Sequence, residues 1–411
     1  MTARRFCLGI DPGGSRISAA VWDAAGDTRA RPVSLGRHAD AAPASIFVSS
    51  GDIVFGDAAE RRALAQPDLL VRRLLPRIGD DTPLAVVDRR FAAEDLFVRL
   101  IGWAVQAAAV QEGDLPASIA VTVPVAWGPY RTALVGEALE RHGLGDATLV
   151  AGPVAVARHH LRHDRIHAGA LVGVYDFGGS SFTAALVRTG ESDVAIEGTP
   201  MSIDDLGGID VDDRMMDFAL RRAGVPGLDS GALERDAGER VALAALRREC
   251  TDAKEALSSD SESIIPVLVA GRCTTVRVTR EDLEAMIDAH LARTIDLMLD
   301  VFDDAGVEPD GVDAILLTGG SSRIPRVAQL VSERVRRPII VDGSPKIAAA
   351  AGAAQAAADG SYEMRGALDG EPGAVEPLMP QPAAAPRHAH PMKDLVGRLL
   401  PFLSPSARGS A

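Results

Sequence analysis

The chain has 411 residues, 47% of them hydrophobic and 24% charged. At about 150 residues per domain it holds two or three domains' worth of core, which excludes a disulfide miniprotein and a chain disordered throughout. Its 57 acidic against 43 basic residues give a net charge of -14, a sign that repels phosphate backbones and anionic lipid and excludes non-specific nucleic acid binding.

Cys7, Cys250 and Cys273 are odd in number and widely spaced, so they build neither a disulfide framework nor a zinc ribbon and point to the cytoplasm. The first apolar stretch stops at Asp11, too short for a signal sequence. No run reaches the roughly 20 apolar residues of a membrane span, the Ala-rich stretch from Ala348 to Ala358 being the nearest in look.

Phe6 to Ile10 reads as a buried strand entering Asp11-Pro12-Gly13-Gly14-Ser15, with a second strand from Ile17 to Trp22. Ile119 to Pro124 is a β-branched strand, and Tyr130 to His142 a helix ended by Gly143. The opening pattern then returns. Leu171 to Tyr175 leads into Asp176-Phe177-Gly178-Gly179-Ser180-Ser181, followed by a strand from Phe182 to Val187. The two segments superpose without a gap, Asp11 on Asp176 and Gly13-Gly14 on Gly178-Gly179. This is an internal duplication, and it predicts two similar α/β lobes with a ligand cleft between them.

Further on, Val211 to Ala223 and Val241 to Leu257 read as helices, Ile264 to Val269 and Thr274 to Val278 as a strand pair, and Glu281 to Phe302 as a long helix capped by Thr279. A strand from Ala314 to Thr318 enters Gly319-Gly320-Ser321-Ser322-Arg323, with a helix from Pro325. The predicted organisation is lobe I over 1–168 with a smaller subdomain at 38–113, and lobe II over 169–360 with a smaller subdomain at 223–303. A Pro/Ala/Gly-rich linker over 361–391 and a short amphipathic tail over 392–411 complete it. The tail reads as a docking segment for a partner; its length and Pro401 disfavour a membrane-surface role.

A diglycine turn after an aspartate at a strand end lets backbone N–H groups approach phosphate oxygens while the carboxylate holds magnesium-bound water. One such turn is common hairpin chemistry. Two in register, with a third diglycine at Gly319-Gly320, point to a phosphate clamp with one hairpin from each lobe. The P-loop, dinucleotide-binding and α/β-hydrolase signatures are absent. His159, His160, His163 and His167 include helical i, i+4 spacing suited to metal, but the neighbouring arginines favour a solvated helix face.

From Arg4 to Ala358 the chain resembles the nucleotide-binding domain of the seventy-kilodalton heat-shock chaperones, in the actin-like ATPase superfamily. Gly9 to Ser15 and Tyr175 to Phe182 are similar to the family's two phosphate loops, Val123-Pro124 to its connecting segment, and Asp205 to Asp212 to its Leu-Gly-Gly segment. Cys250 to Ser258 resembles its adenosine-contacting helix and Leu317 to Pro325 its adenosine loop.

The resemblance implies an actin-like ATPase fold that binds ATP or ADP with Mg2+ and acts on a protein client or partner. It implies that Asp11 and Asp176 bind waters of the magnesium shell and that Gly13, Gly14, Ser15, Gly178, Gly179, Ser180 and Ser181 cradle phosphates. It further implies that Gly207 and Gly208 touch the terminal phosphate, that Lys254 and Ser258 meet ribose and adenine, and that Gly319, Gly320, Ser321 and Arg323 pack around the base.

Three departures bear on catalysis. Arg72 replaces the lysine that orients the attacking water, Gly152 a glutamate, and Thr183 a second aspartate. On the adenine side, Thr251 replaces a glutamate and Glu255 a base-stacking arginine. Nucleotide binding with slow or residual hydrolysis is therefore the expected activity, a non-hydrolysing nucleotide-gated scaffold the alternative. A small-molecule kinase of the same superfamily ranks third, because no carboxylate base presents itself. The family's peptide clamp is expected to be missing, since only residues 359–411 follow the resemblance.

Overall fold

The computed structural model describes residues 6–23, 29–36, 41–191, 193–226 and 237–360; the predicted linker and tail lie outside them. The first half opens with the hairpin β1 (Phe6–Pro12) and β2 (Arg16–Asp23), extended by β3 (Arg31–Pro32) and β4 (Ala42–Pro43). Next come β5 (Ile46–Val48), β6 (Ile53–Phe55), helix α1 (Gly56–Ala63) and β7 (Leu70–Val71), which make a small three-stranded sheet with its helix. The hairpin β8 (Leu84–Val86) and β9 (Arg89–Phe91) leads to α2 (Ala93–Glu112), β10 (Ser118–Val123), α3 (Pro129–Arg141), β11 (Thr148–Ala151) and α4 (Gly152–Arg162).

The second half repeats the plan. Strands β12 (Leu171–Phe177), β13 (Phe182–Thr189) and β14 (Val194–Ile203) are followed by α5 (Gly208–Arg222), α6 (Ala237–Ala256), the ribbon β15 (Glu262–Val269) and β16 (Arg272–Thr279), and α7 (Arg280–Asp304). Then β17 (Ala314–Thr318), α8 (Pro325–Val335), β18 (Ile339–Val341) and α9 (Ala348–Asp359) close it.

The duplication read from one loop extends to the sheets. One has the order β11-β10-β1-β2-β3 and the other β18-β17-β12-β13-β14. In both, the central strand runs antiparallel to its hairpin partner and parallel to the strand on its other side. Asp11 lies opposite Ser18 in one hairpin, and Asp176 opposite Thr183 in the other. These are mixed sheets flanked by helices, as an actin-like ATPase fold requires.

Helix ends follow local chemistry. Thr279 caps α7, its hydroxyl accepting the Asp282 N–H while the Asp282 carboxylate accepts the Thr279 N–H. Pro129 and Pro325 occupy first-turn positions of α3 and α8. Helix α5 starts at Gly208, ahead of the expected Val211, because the Asp210 carboxylate takes the Gly207 N–H at 2.7 Å and caps the earlier turn. Helix α6 likewise starts before Val241.

The Ala-rich stretch is α9, buried along almost its whole length. Its small side chains let backbones touch. A Cβ on Gly9 would stand 2.0 Å from the Ala350 carbonyl oxygen, and one on Gly352 would stand 1.8 Å from that of Ala155 in α4. Thus α9, from the second half, covers β1, β2 and β10, whereas α4, from the first half, covers β12, β13 and β14, and the two helices pack on each other. Among the described residues, no helix is long and apolar enough to cross a membrane.

This packing corrects the reading of the histidines. Helix α4 is wedged between sheets, so His160 is fully buried and His159 nearly so, while His163 is partly buried and only His167 is exposed. No group of three or more His, Cys, Asp or Glu among the described residues could hold a metal directly.

Candidate functional site

The hairpin turns at Gly13-Gly14-Ser15 and Gly178-Gly179-Ser180 leave equivalent strand ends and meet face to face. A Cβ on Gly14 would fall 1.6 Å from Ser180 Oγ, and a Cβ on Gly179 would fall 1.6 Å from Ser15 Oγ. A side chain at either position would have to displace the opposing serine, which is a physical reason for glycine at both.

Behind the turns stand Asp11 and Asp176. The Thr122 hydroxyl of β10 donates to Asp11, and this opposes the upward push that burial gives the Asp11 carboxyl. Burial, and then the Asp11 charge, push Asp176 up to about 7. Among the described residues the groups acting on this pair are thus a hydroxyl and a second carboxylate. Two such carboxylates suit a hard, hydrated divalent cation, whose charge would offset the repulsion and restore both to the ionised form.

The second turn is braced by the other glycine segments. The Gly178 carbonyl accepts the Gly208 N–H at 3.0 Å and the Ser321 hydroxyl at 2.8 Å, and the Gly179 carbonyl accepts the Ile209 N–H at 2.8 Å. Gly207 and Gly208 therefore spend their N–H groups on Asp210 and Gly178. Their lack of side chains serves close approach: a Cβ on Gly207 would stand 2.6 Å from the Gly179 backbone. Gly319, at φ 81°, passes so close to the first layer that a Cβ would stand 2.5 Å from Asp176 Oδ1.

Lys254 is neither a solvated residue nor a free cation. Its ammonium pairs with Asp212 at 2.7 Å and donates to the Gly208 carbonyl at 2.8 Å, which ties α6 to the diglycine at the start of α5. Ser258 lies partly buried just past the end of α6. Gly320 and Arg323 are exposed on the short turn after β17, and Ser181 closes the second hairpin by accepting the Gly178 N–H on its carbonyl.

Arg72 is engaged away from the turns. Both sides of its guanidinium donate to Glu60 of α1, which also accepts from Ser45. Arg73 reaches the second half instead, pairing with Asp210 at 3.0 Å from a left-handed backbone at φ 54°. Both arginines follow the short strand β7 (Leu70–Val71), and the left-handed backbone at Arg73 sends its side chain to the second half while Arg72 stays on Glu60. Arg73 was not singled out from the sequence, and no local signal marks it.

Two further ion pairs join the two halves. Arg16, next after the first turn, pairs with Glu255 of α6 at 2.9 Å, and Lys346 stands 3.6 Å from the same carboxylate. Asp68 pairs with Arg240 at 3.2 Å. Arg16 and Lys346 hold the Glu255 carboxyl below its ordinary value, against the opposing effect of burial. Gly152 opens α4, where a Cβ would meet nothing closer than the Val123 carbonyl oxygen at 3.9 Å.

The chain's sequence matches the family described as Hsp70 protein over residues 80–364, well over half its length. Together with the duplicated α/β halves and their opposed glycine turns, this establishes that the chain belongs to the Hsp70 family and is an Hsp70-like nucleotide-binding protein.

Proposed function

We propose that the protein binds ATP with Mg2+ between its two halves and uses their closure as a conformational signal to a protein client or partner, with hydrolysis slow or residual. The reciprocal contact of the two glycine turns in front of Asp11 and Asp176 carries this reading. It agrees with the family, whose ATPase domains bind nucleotide, typically with Mg2+.

Bound there, the cation would neutralise phosphate charge and withdraw electrons from the terminal phosphorus. Asp11 and Asp176 hold its water shell. Gly13, Gly14, Ser15 and Gly178 to Ser181 bring backbone close to phosphate oxygens. Lys254, through Asp212 and Gly208, and Ser321, through the Gly178 carbonyl, fix the second turn in place. What is weak is the handling of water. Arg72 is held by Glu60, Gly152 has no side chain, and Thr183 offers a hydroxyl where a carboxylate would accept a proton. Phosphoryl transfer depends on positioning, so these positions lower turnover more than affinity. The three free thiols suit a reducing cytoplasm as the place of action.

The deciding experiment is a single turnover with protein in excess over labelled ATP and Mg2+. Bound ADP supports the slow ATPase; bound ATP that stays intact replaces it with a nucleotide-gated scaffold. Unchanged binding by an Asp11→Asn, Asp176→Asn double variant overturns both.

A further inference from the structure

The nucleotide reading makes no use of the histidines of α4, yet one of them is the most deeply buried imidazole among the described residues. His160 has no solvent exposure, and neither of its ring nitrogens has a hydrogen-bond partner. It lies where α4 crosses from the first half onto the sheet of the second.

The groups facing it come from several elements. On its own helix is His159, at a ring separation of 5.3 Å, and just past the helix end is His163, whose ring is tilted against that of His159 at 4.5 Å. Arg165 lies in the turn that follows. From the second half comes Asp342, just past β18, with Oδ2 4.0 Å from His160 Nε2. From α9, Asp359 takes Arg158 at 2.7 Å.

The nearest anion is already committed. Asp342 accepts from His159 Nε2 at 2.9 Å and from the Ser344 N–H at 2.8 Å, with Arg165 3.7 Å away. A proton on His160 would thus create a buried cation whose only close carboxylate is shared among three other donors.

We infer that His160 is an acid-sensitive lock where α4 crosses between the halves: neutral, it seats α4 against the loop after β18, and protonated, it drives that contact apart. Packing carries the effect, because α4 lies directly on α9 and on the second sheet, and a cation there has no solvent to turn to. Burial, and next the charge of His159, hold the imidazole down to about 4. The sign follows from linkage. A histidine whose folded pKa is depressed binds fewer protons folded than unfolded, so the lock is intact above about 6.5 and fails as pH falls towards 4. Asp342, held well below the usual carboxylate range mainly by its hydrogen bond from His159, acts in the same direction only at still lower pH.

The test uses the full chain and needs no nucleotide. Wild type and His160→Phe are unfolded in urea at pH 7.5 and pH 5, and amide exchange is followed over 152–162 and 339–347. The folded-to-unfolded ratio of wild type should fall about 30-fold more than that of the variant over this interval. Protection factors in both segments, corrected for the intrinsic pH dependence of amide exchange, should fall in acid in wild type alone. Parallel pH dependences would overturn the proposal. Should the phenyl ring not be accommodated, C2–H exchange of the histidines in wild type decides: a His160 pKa far below 6.5 supports the lock, and a value at or above 6.5 sinks it.

Discussion

Gly14 and Ser180, one from each half, are in such contact that any side chain on the glycine would occupy the serine hydroxyl, and Gly179 and Ser15 repeat the relation. The turns that should cradle phosphates are thus also each other's packing partners. Gly14→Ala must push the second turn away, and we expect nucleotide affinity to fall at least about tenfold while the fold persists, since the turns lie at strand ends outside the core. Calorimetric titration of Mg-ATP measures it. Adding Ser180→Gly should recover much of the loss; no recovery would show that the contact is not what the alanine disrupts.

Asp176 gives a pH signature. Its carboxyl is pushed up to about 7 by burial and by Asp11, so the folded state holds that proton more tightly than the unfolded one. The associated stability is present at pH 4 and is lost as pH rises through about 7. Ligand-free protein should therefore denature more readily at pH 8 than this carboxyl would allow if neutral. Asp176→Asn should raise the urea midpoint at pH 8 and leave it unchanged at pH 4. If the proposed Mg-ATP site uses the ionised pair, its affinity should rise over the same interval in wild type.

Gly152 offers a gain of function. A side chain there has room, and a carboxylate at the first position of α4 is also favoured by the helix dipole. Gly152→Glu should speed the hydrolytic step by about tenfold or more under single-turnover conditions, within the range a positioned acid or base supplies. Gly152→Gln is the control, and an equal rate in both would assign the change to packing.

The Arg16, Glu255 and Lys346 cluster predicts a dependence on salt. These are partly exposed groups, each pair worth about 0.2–1 kcal/mol, yet Arg16–Glu255 joins the two halves and Lys346 supports it from the second. Glu255→Gln should speed release of a fluorescent nucleotide by about two- to fivefold at 50 mM salt. The difference should shrink at 500 mM, where screening acts on wild type alone. Equal release rates at low salt would remove these pairs from the gate.

Much of the fold was legible because its signals are local. The alternation at Phe6 to Trp22 and at Leu171 to Val187, the cap at Thr279 and the proline at Pro325 each mark one element and need no partner to be read. The match of Asp11 with Asp176 even carried the pseudo-symmetry, since a repeated loop implies a repeated sheet. What stayed hidden depends on contacts far apart in the chain. Whether Arg72 or Arg73 crosses to the second half depends on Glu60 and Asp210. Lys254 could be placed on a helix but not against Asp212. The four histidines at 159, 160, 163 and 167 read as a polar face because they fall near arginines; that α4, which holds the first two, is enclosed depends on α9, far along the chain. The Ala-rich stretch was ambiguous for the same reason, its purpose being to let another backbone approach.

The exchange of helices between the halves has a consequence for how such a molecule can be built and broken. Each sheet is roofed by a helix encoded in the other half, α9 over β1 and β10, α4 over β12 and β13. Cutting the chain between 168 and 169 would therefore yield two fragments that each lack their own cover and carry someone else's. Neither should fold alone, but the two should reassemble on mixing, each completing its partner. The duplicated halves are thus an interwoven pair, neither a complete unit without the other.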